Sequence, residues 1–360
     1  MRLLMSIMWR CIAKFYVAIL WVMTLPTILR SKDRTRILIQ FYSEKQSSAA
    51  ARVVARTATS DRDPPGTLRL LVVIPFRDNW EMTRQCLDSL LRQKRDRFVV
   101  RCVLADNGSV EPATSAGISQ AMTSVHDGLS LQHTRLDYEF NFSRINNDAV
   151  AAAADFGAQY LLFLNNDVTL DDRGTLEKLL DAAITLPNAG ALGATLLYPN
   201  RRIQHLFVAP GVKLVAAHPL KGIRYREGDE WYRRSRPVPA VTGALLLISA
   251  DAFQEAGQFD EALATSCQDV DLCLKLLAKG RVNWAIASAV ATHHESTSRG
   301  HGHNVSEFAL MYDRWGDTLT QNPWLHERLS RWSELPLIKY QGEAPYPWRR
   351  IIGFHPPNGN

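Results

Sequence analysis

Cysteine is scarce and scattered in this 360-residue chain: Cys11, Cys86, Cys102, Cys267 and Cys273, with no C-x-x-C pair. An odd number at such spacing argues against a disulfide framework or a structural zinc knuckle and fits a reducing compartment. Long apolar runs are also missing. Within residues 3–29 the longest clean stretch, Phe15 to Leu25, falls well short of the ~20 residues that span a bilayer. Disorder, collagen-like repeats and a polytopic membrane protein are excluded by 46% hydrophobic and 22% charged residues, an ordinary globular composition.

An excess of positive charge is missing from most of the chain as well. The formal net charge is +6, yet residues 1–66 hold eleven Lys and Arg against four Asp and Glu, so the other 294 residues are close to neutral. A nucleic-acid reader carries its positive field on the folded body, so no nucleic-acid partner is expected.

What is present divides into three parts: a basic, apolar N-terminal segment with a linker (1–66), a main domain (67–312) and a C-terminal extension (313–360) with tryptophans and prolines, expected to form short helices. Residues 3–29 are apolar but interrupted by Arg10 and Lys14, with Pro26 near the end. Val22-Met23-Thr24-Leu25 offers no small-residue signal-peptidase pattern. The preferred reading is a helix lying in a membrane interface, with Trp9, Phe15, Tyr16 and Trp21 toward lipid and Arg30, Lys32, Arg34 and Arg36 meeting anionic headgroups. The alternative is a helix packed on the protein's own surface. Asp61 to Gly66, DRDPPG, reads as the linker.

From Leu68 the pattern becomes strand and helix in alternation. Leu70 to Ile74, Phe98 to Leu104 and Tyr160 to Leu164 are continuous apolar runs, the mark of strands buried on both faces. Helical spacing over Glu81–Arg92 and an alanine-rich stretch over Ala149–Phe156 fall between them. The alternation predicts a doubly wound α/β sheet. Val241 to Ile248 and Trp284 to Ala291 read as further strands, and Gln268 opens a helix that stops at Gly280.

Acids fall where such a sheet binds ligands, just outside the carboxyl ends of strands. Asp106 and Asp167 each follow a buried strand, beside Asn107 and after Asn165-Asn166. Either is also a natural turn or cap residue, and Asp269 at a helix start is also a natural cap. His293-His294 closes the last apolar segment, and adjacent side chains point apart, so at most one is a ligand. Tyr225, Trp231 and Tyr232 either stack on a ligand's rings or lie buried under an ordered loop.

These stretches resemble the family 2 glycosyltransferases of GT-A fold, in particular the bacterial branch of rhamnosyl- and other polysaccharide-building transferases. The matching segments are VVIPFRDNWEMTRQCLDSLL, VLADNGSVEP, FNFSRINNDAV, YLLFLNND, RRIQH, VTGALLL, GQFDEAL, QDVDLCLKLLAKG and THHESTSRG, in the family's order over roughly residues 68 to 300. The resemblance implies a Rossmann-like, mostly parallel mixed sheet and transfer, with inversion, of a sugar from a nucleotide-diphosphate donor to a hydroxyl of a glycan or lipid-linked glycan.

It also implies roles. Pro75, Phe76 and Arg77 would line the nucleotide site, and Asp106 would hold the base. Asn165-Asn166-Asp167 stands where the family has D-x-D, so Asp167 would ligate a divalent metal, Mn²⁺ or Mg²⁺, with His293. Asp269 would be the catalytic base, and Asn147, Gly243 and His205 fall in matching segments with less definite roles. Asn165 in place of the first acid, and Gln268 in place of the acid before Asp269, depart from the pattern. The donor would be a UDP- or dTDP-sugar, the acceptor a glycan or polyprenyl-linked glycan, and the place the cytoplasmic face of a bacterial inner membrane. The rival readings are a non-catalytic sugar-nucleotide-binding relative and a metal-dependent hydrolase built on His293, His294, His301 and His303.

Overall fold

The computed structural model describes residues 2–30, 67–124, 126–295, 304–322, 324–335, 337–340 and 343. The elements are α1 (Arg2–Arg30), β1 (Leu68–Phe76), α2 (Trp80–Leu91), β2 (Phe98–Asp106), α3 (Pro112–Thr123), β3 (Leu129–Arg135), α4 (Phe142–Ala152), β4 (Tyr160–Leu164), β5 (Val168–Leu170), α5 (Thr175–Thr185) and β6 (Ala189–Leu197). The chain continues through β7 (Ile203–His205), β8 (Ala209–Pro210), β9 (Ala216–Ala217), α6 (Glu230–Arg233), β10 (Arg236–Val238), β11 (Leu245–Ser249), α7 (Ala250–Glu255), α8 (Gln268–Ala278), β12 (Val282–His293) and α9 (Val305–Gln321).

A ten-stranded sheet runs β10-β12-β6-β11-β4-β1-β2-β3, with β5 on β12 and β7 on β6. β3, β2, β1 and β4 are mutually parallel, and β12 is parallel to β6. β11 enters antiparallel between β4 and β6. The sheet is therefore mixed and mostly parallel, as expected. The continuous apolar runs have their physical reason here. Along β1, Leu71 and Val73 join the core on one face while Leu70, Val72 and Ile74 join the core on the other. In β4, Leu161 and Phe163 face one way, and Leu162 and Leu164 the other.

Local boundaries moved where capping outweighed composition. The alanine-rich helix starts at Phe142 rather than Ala149, because the Asn141 side chain accepts the Arg144 N–H and caps it. It breaks after Ala152 into a short 3-10 turn closed by left-handed Gly157. The strand expected from Val241 begins at Leu245, after a turn through Gly243 and Ala244. α9 spans 17 residues, runs through residue 312 and is kinked at Trp315 (φ −120°, ψ 15°), so it consists of two shorter helical stretches. The following irregular segment returns to α1.

Candidate active site

Parallel pairing sets the ends of β4, β1, β2 and β3 along one edge, with Phe76 opposite Asp106 and Asp106 opposite Arg135. The loops there are stitched together. The chain turns at Asp78 and Asn79, both left-handed at φ 53° and 49°, a conformation these two residue types tolerate. Asp78 Oδ1 accepts the N–H groups of Val110 (2.7 Å) and Glu111 (2.9 Å), and the Asp78 N–H donates to Ser109 Oγ at 2.7 Å. Asn107 Nδ2 donates to the carbonyls of Leu136 and Tyr138. Pro75 is half-buried and Phe76 buried against Trp80, while Arg77 is exposed at the rim.

Asp106 is 1% exposed. Its Oδ1 accepts the Ser109 N–H at 2.8 Å. Its Oδ2 has only long contacts, 3.3 Å to His133 Nε2 and 3.4 Å to Arg135 Nη1, and so keeps acceptor capacity.

The Asn165-Asn166-Asp167 turn leaves β4. Asn165, buried, donates its N–H to the Ala244 carbonyl at 2.9 Å. Asn166 Nδ2 is tied to Thr83 Oγ1 on α2 at 3.0 Å. Beneath the turn the Cys86 thiol donates to the Asn165 carbonyl, and burial pushes that thiol's pKa well up, which keeps it neutral. β5 then pairs with the end of β12 and sets His293 opposite Val168. Two residues 126 positions apart thereby meet, His293 Nε2 lying 3.1 Å from Asp167 Oδ1, with both side chains largely buried. His294 points the other way, to Thr169 Oγ1 at 3.2 Å.

Two ligand atoms at right angles around an ion with bonds of ~2.1 Å lie about 3.0 Å apart, so the His293–Asp167 spacing suits a small divalent cation. The donor set of one carboxylate and one imidazole fits Mn²⁺ or Mg²⁺ with the remaining positions filled by phosphate oxygens and water. No cluster of three His, Cys, Asp or Glu side chains gathers to hold an ion among the described residues. Of the histidines in the hydrolase reading, His301 and His303 lie outside the described residues.

Asp269 sits in the first turn of α8. Its Oδ2 accepts the Gly243 N–H at 2.8 Å and its Oδ1 the Val270 N–H at 2.8 Å, which fixes the carboxylate plane. Gly243 thus serves the acid, and its neighbour Ala244 receives the Asn165 N–H, so one turn joins the Asp269 carboxylate to the Asn165–Asp167 turn. Two residues on, Asp271 is fully buried and takes hydrogen bonds from Arg314 Nη1 (2.6 Å) and Trp315 Nε1 (2.8 Å) and an ion pair from Lys275 (2.7 Å). Of these two acids, which project to opposite sides of the helix, one is half-open and the other locks α8 to α9.

Beside Asp269 lie two more histidines. His205 Nδ1 and His218 Nδ1 are 3.0 Å apart. Burial lowers both pKa values, for His205 with added repulsion from His218 and His293, and for His218 against the pull of Asp269.

One expectation needs correction. Asn147 is not turned toward a ligand: its Nδ2 donates to the Phe259 carbonyl at 2.9 Å and its Oδ1 accepts the Phe259 N–H at 3.3 Å, so it clamps the Phe259–Glu261 turn onto α4. Of the two readings left open for Tyr232, the structure takes the buried one: it is 2% exposed, with its ring 5.2 Å from that of Tyr225. Sequence reasoning passed over Asp78, His133, Arg135, His218 and Asp271. The alternation of His133 and Arg135 in QHTR is a strand signal that could have located β3 and its polar face.

Residues 71–206 match the family model described as Glycosyl transferase family 2. The O-antigen biosynthesis protein RfbC of Myxococcus xanthus is 33% identical over 269 residues, covering 72% of this chain and 20% of that protein. An N-acetylglucosaminyl-diphospho-decaprenol L-rhamnosyltransferase of Mycobacterium tuberculosis is 29% identical over 239 residues, 60% of this chain and 75% of that one. The chain thus spans about a fifth of the length of the Myxococcus relative. Among solved structures, GalNAc-T7 with UDP, GalNAc and Mn²⁺ superposes with a TM-score of 0.56 at 11% identity, over 76% of this chain and 54% of that one. The mannosyltransferase PcManGT of Pyrobaculum calidifontis, in complex with GDP-Man and Mn²⁺, superposes with a TM-score of 0.50 at 17% identity, over 81% and 82%. At such identities the likeness is one of fold.

Proposed function

This chain is a family 2 glycosyltransferase of the rhamnosyltransferase-like branch, and from that premise we propose that it moves one sugar from a nucleotide-diphosphate donor to a hydroxyl of a glycan or polyprenyl-linked glycan, with inversion, in bacterial surface-polysaccharide synthesis. The observation that carries the reading is the turn at Gly243-Ala244, which holds the Asp269 carboxylate on one side and the Asn165–Asp167 turn on the other. A base and a diphosphate site are needed at just such close quarters.

The residues divide the work. Pro75, Phe76 and Arg77 border the nucleotide, and Asp106 Oδ2 is the acceptor for an imide N–H of a uracil or thymine base. Asp167 and His293 would hold a divalent ion, Mn²⁺ or Mg²⁺, which when bound would supply Lewis-acid neutralisation of the diphosphate's charge. Asp269 takes the proton of the acceptor hydroxyl while that oxygen bonds to the anomeric carbon. The bond from that carbon to the phosphate oxygen breaks, and the nucleoside diphosphate leaves. One base suffices when attack comes opposite the leaving group, and its contribution is typically about 10²–10⁴-fold. The two backbone N–H groups on Asp269 orient it for this before substrate arrives.

The test is turnover of UDP- and dTDP-sugars with a polyprenyl-linked acceptor, with and without Mn²⁺. The reading expects nucleoside diphosphate release that requires both acceptor and ion, and a product of opposite anomeric configuration by NMR. Acceptor-independent release would favour a hydrolase. Donor binding with no release under any condition would favour a non-catalytic sugar-nucleotide binder.

A further inference from the structure

α1 has two faces of different character. Ala13 and Leu20 are buried, and with Trp9, Tyr16 and Val17 they pack against Trp332, Leu335, Leu337 and Leu214. The Tyr16 ring lies 4.6 Å from Trp332 and its hydroxyl donates to Glu343 at 3.2 Å. Trp9 and Tyr16, expected toward lipid, therefore face the protein. The opposite face is open: Met8 (48%), Ile12 (40%), Phe15 (70%), Ile19 (40%), Val22 (69%) and Met23 (49%) stand exposed. Their spacing places them in one stripe along the helix.

A continuous exposed stripe of this kind marks an interaction surface. Its chemistry selects the partner. Arg10 and Lys14 are exposed one turn apart, and Trp21 (40% exposed) lies on the same edge two turns on. α1 contains no Asp or Glu at all. Two copies joined through the stripe would leave Arg10, Lys14 and Trp21 outside the contact, with no acid on the helix to pair with the cations. A surface of anionic lipid supplies the missing charge, takes the apolar side chains into its acyl boundary and suits tryptophan at the edge. No described helix is long and apolar enough to cross a membrane, so the helix lies flat.

We propose that the outer face of α1 docks in the plane of an anionic lipid surface while its inner face holds the catalytic domain there. The seat of α1 adjoins the cleft. Leu214 touches both the α1 cluster and the main core, and the loop it belongs to is pinned to the C-terminal segment by Lys213 N–H to Arg331 O and Leu220 N–H to Glu334 O. Between those pins lies His218, which bonds His205 beside Asp269. The docked surface thus lies on the base side of the cleft. That placement suits a lipid-borne acceptor and rests on the transferase reading, whereas docking itself rests on α1 alone.

The test is co-sedimentation of the full-length protein with vesicles of phosphatidylcholine, with and without phosphatidylglycerol, in the absence of any substrate. The expected result is binding to the anionic vesicles, abolished by the double substitution Phe15→Glu with Val22→Glu. Arg10→Gln with Lys14→Gln should weaken it about ten- to thirtyfold, and Met122→Glu, exposed on α3, should leave it unchanged. Because Phe15 and Val22 are solvent-facing, circular dichroism and Tm should stay at the wild-type values. Failure to bind anionic vesicles, or equal binding by the Phe15→Glu, Val22→Glu protein, would overturn the proposal. So would a lipid-free dimer that the same double substitution dissolves, because it would assign the stripe to a second copy.

Discussion

His205 and His218 face each other through Nδ1 atoms 3.0 Å apart, so one ring must donate and the other accept, and the pair resists full protonation. Burial holds both below the ordinary imidazole value of 6.5. The unfolded chain takes up protons at that ordinary value, so below it the unfolded state binds more protons than the native one. Stability is therefore full above pH 6.5 and falls as pH drops below it, by up to about 1.4 kcal/mol per pH unit for each imidazole. Thermal unfolding between pH 8 and pH 5 checks this, and His205→Gln should flatten the acid limb relative to wild type. A Tm that fell equally steeply in the variant would assign the acid loss to other groups. Single residues also show where composition misleads. Asp269 and Asp271 are equally acidic and two positions apart, but one meets two backbone N–H groups in a half-open site and the other sits buried against Arg314, Lys275 and Trp315.

At the scale of elements, α8, the helix that carries Asp269, is braced from outside the sheet. α9 reaches α8 through Arg314, which bridges Asp271 and Asp260, and reaches the loop before it through Glu307, which accepts from the Thr265 N–H and hydroxyl at 2.9 Å each. The end of α9 also presses on the loop of His218. Gly211 has φ +73°, and a Cβ there would fall 1.9 Å from the Leu319 carbonyl oxygen, a backbone atom that cannot swing away. Gly222 has φ +82° with nothing within 4 Å. Gly222→Ala should therefore cost only the left-handed penalty, about 1 kcal/mol. Gly211→Ala should cost about 2–4 kcal/mol, since α9 must move as well. Denaturant titration of the two variants measures the difference, and equal losses would mean that α9 is not held against this loop.

For the molecule as a whole, the sequence was most readable where one physical constraint acts alone. Burial on both faces leaves an unbroken apolar run, so β1, β2 and β4 were legible, and with them the edge that carries Asp106 and Asp167. Short strands such as β5, of three residues, leave no period to read, yet β5 is what draws Asp167 to His293 across 126 positions. Asn147 misled because a side chain that satisfies a distant backbone group looks, in sequence, the same as one waiting for a ligand. α1 was read with Phe15 and Trp21 on the open side, where they stand, but with Trp9 and Tyr16 there too, because an apolar helix with a protein face and an open face has no single moment to follow. The acid pattern was legible in kind, and its geometry came only from the turn at Gly243.

The proposed mechanism makes Asp269 the group on which transfer depends, and Asp269→Asn is its most direct test, since the amide keeps an oxygen acceptor and the side chain's shape. Turnover and donor affinity should be measured together, by single-turnover kinetics and calorimetry with Mn²⁺. The account predicts that the rate falls about 10²–10⁴-fold while the donor Kd stays within a few-fold of wild type. A variant that transfers sugar at near the wild-type rate would contradict it.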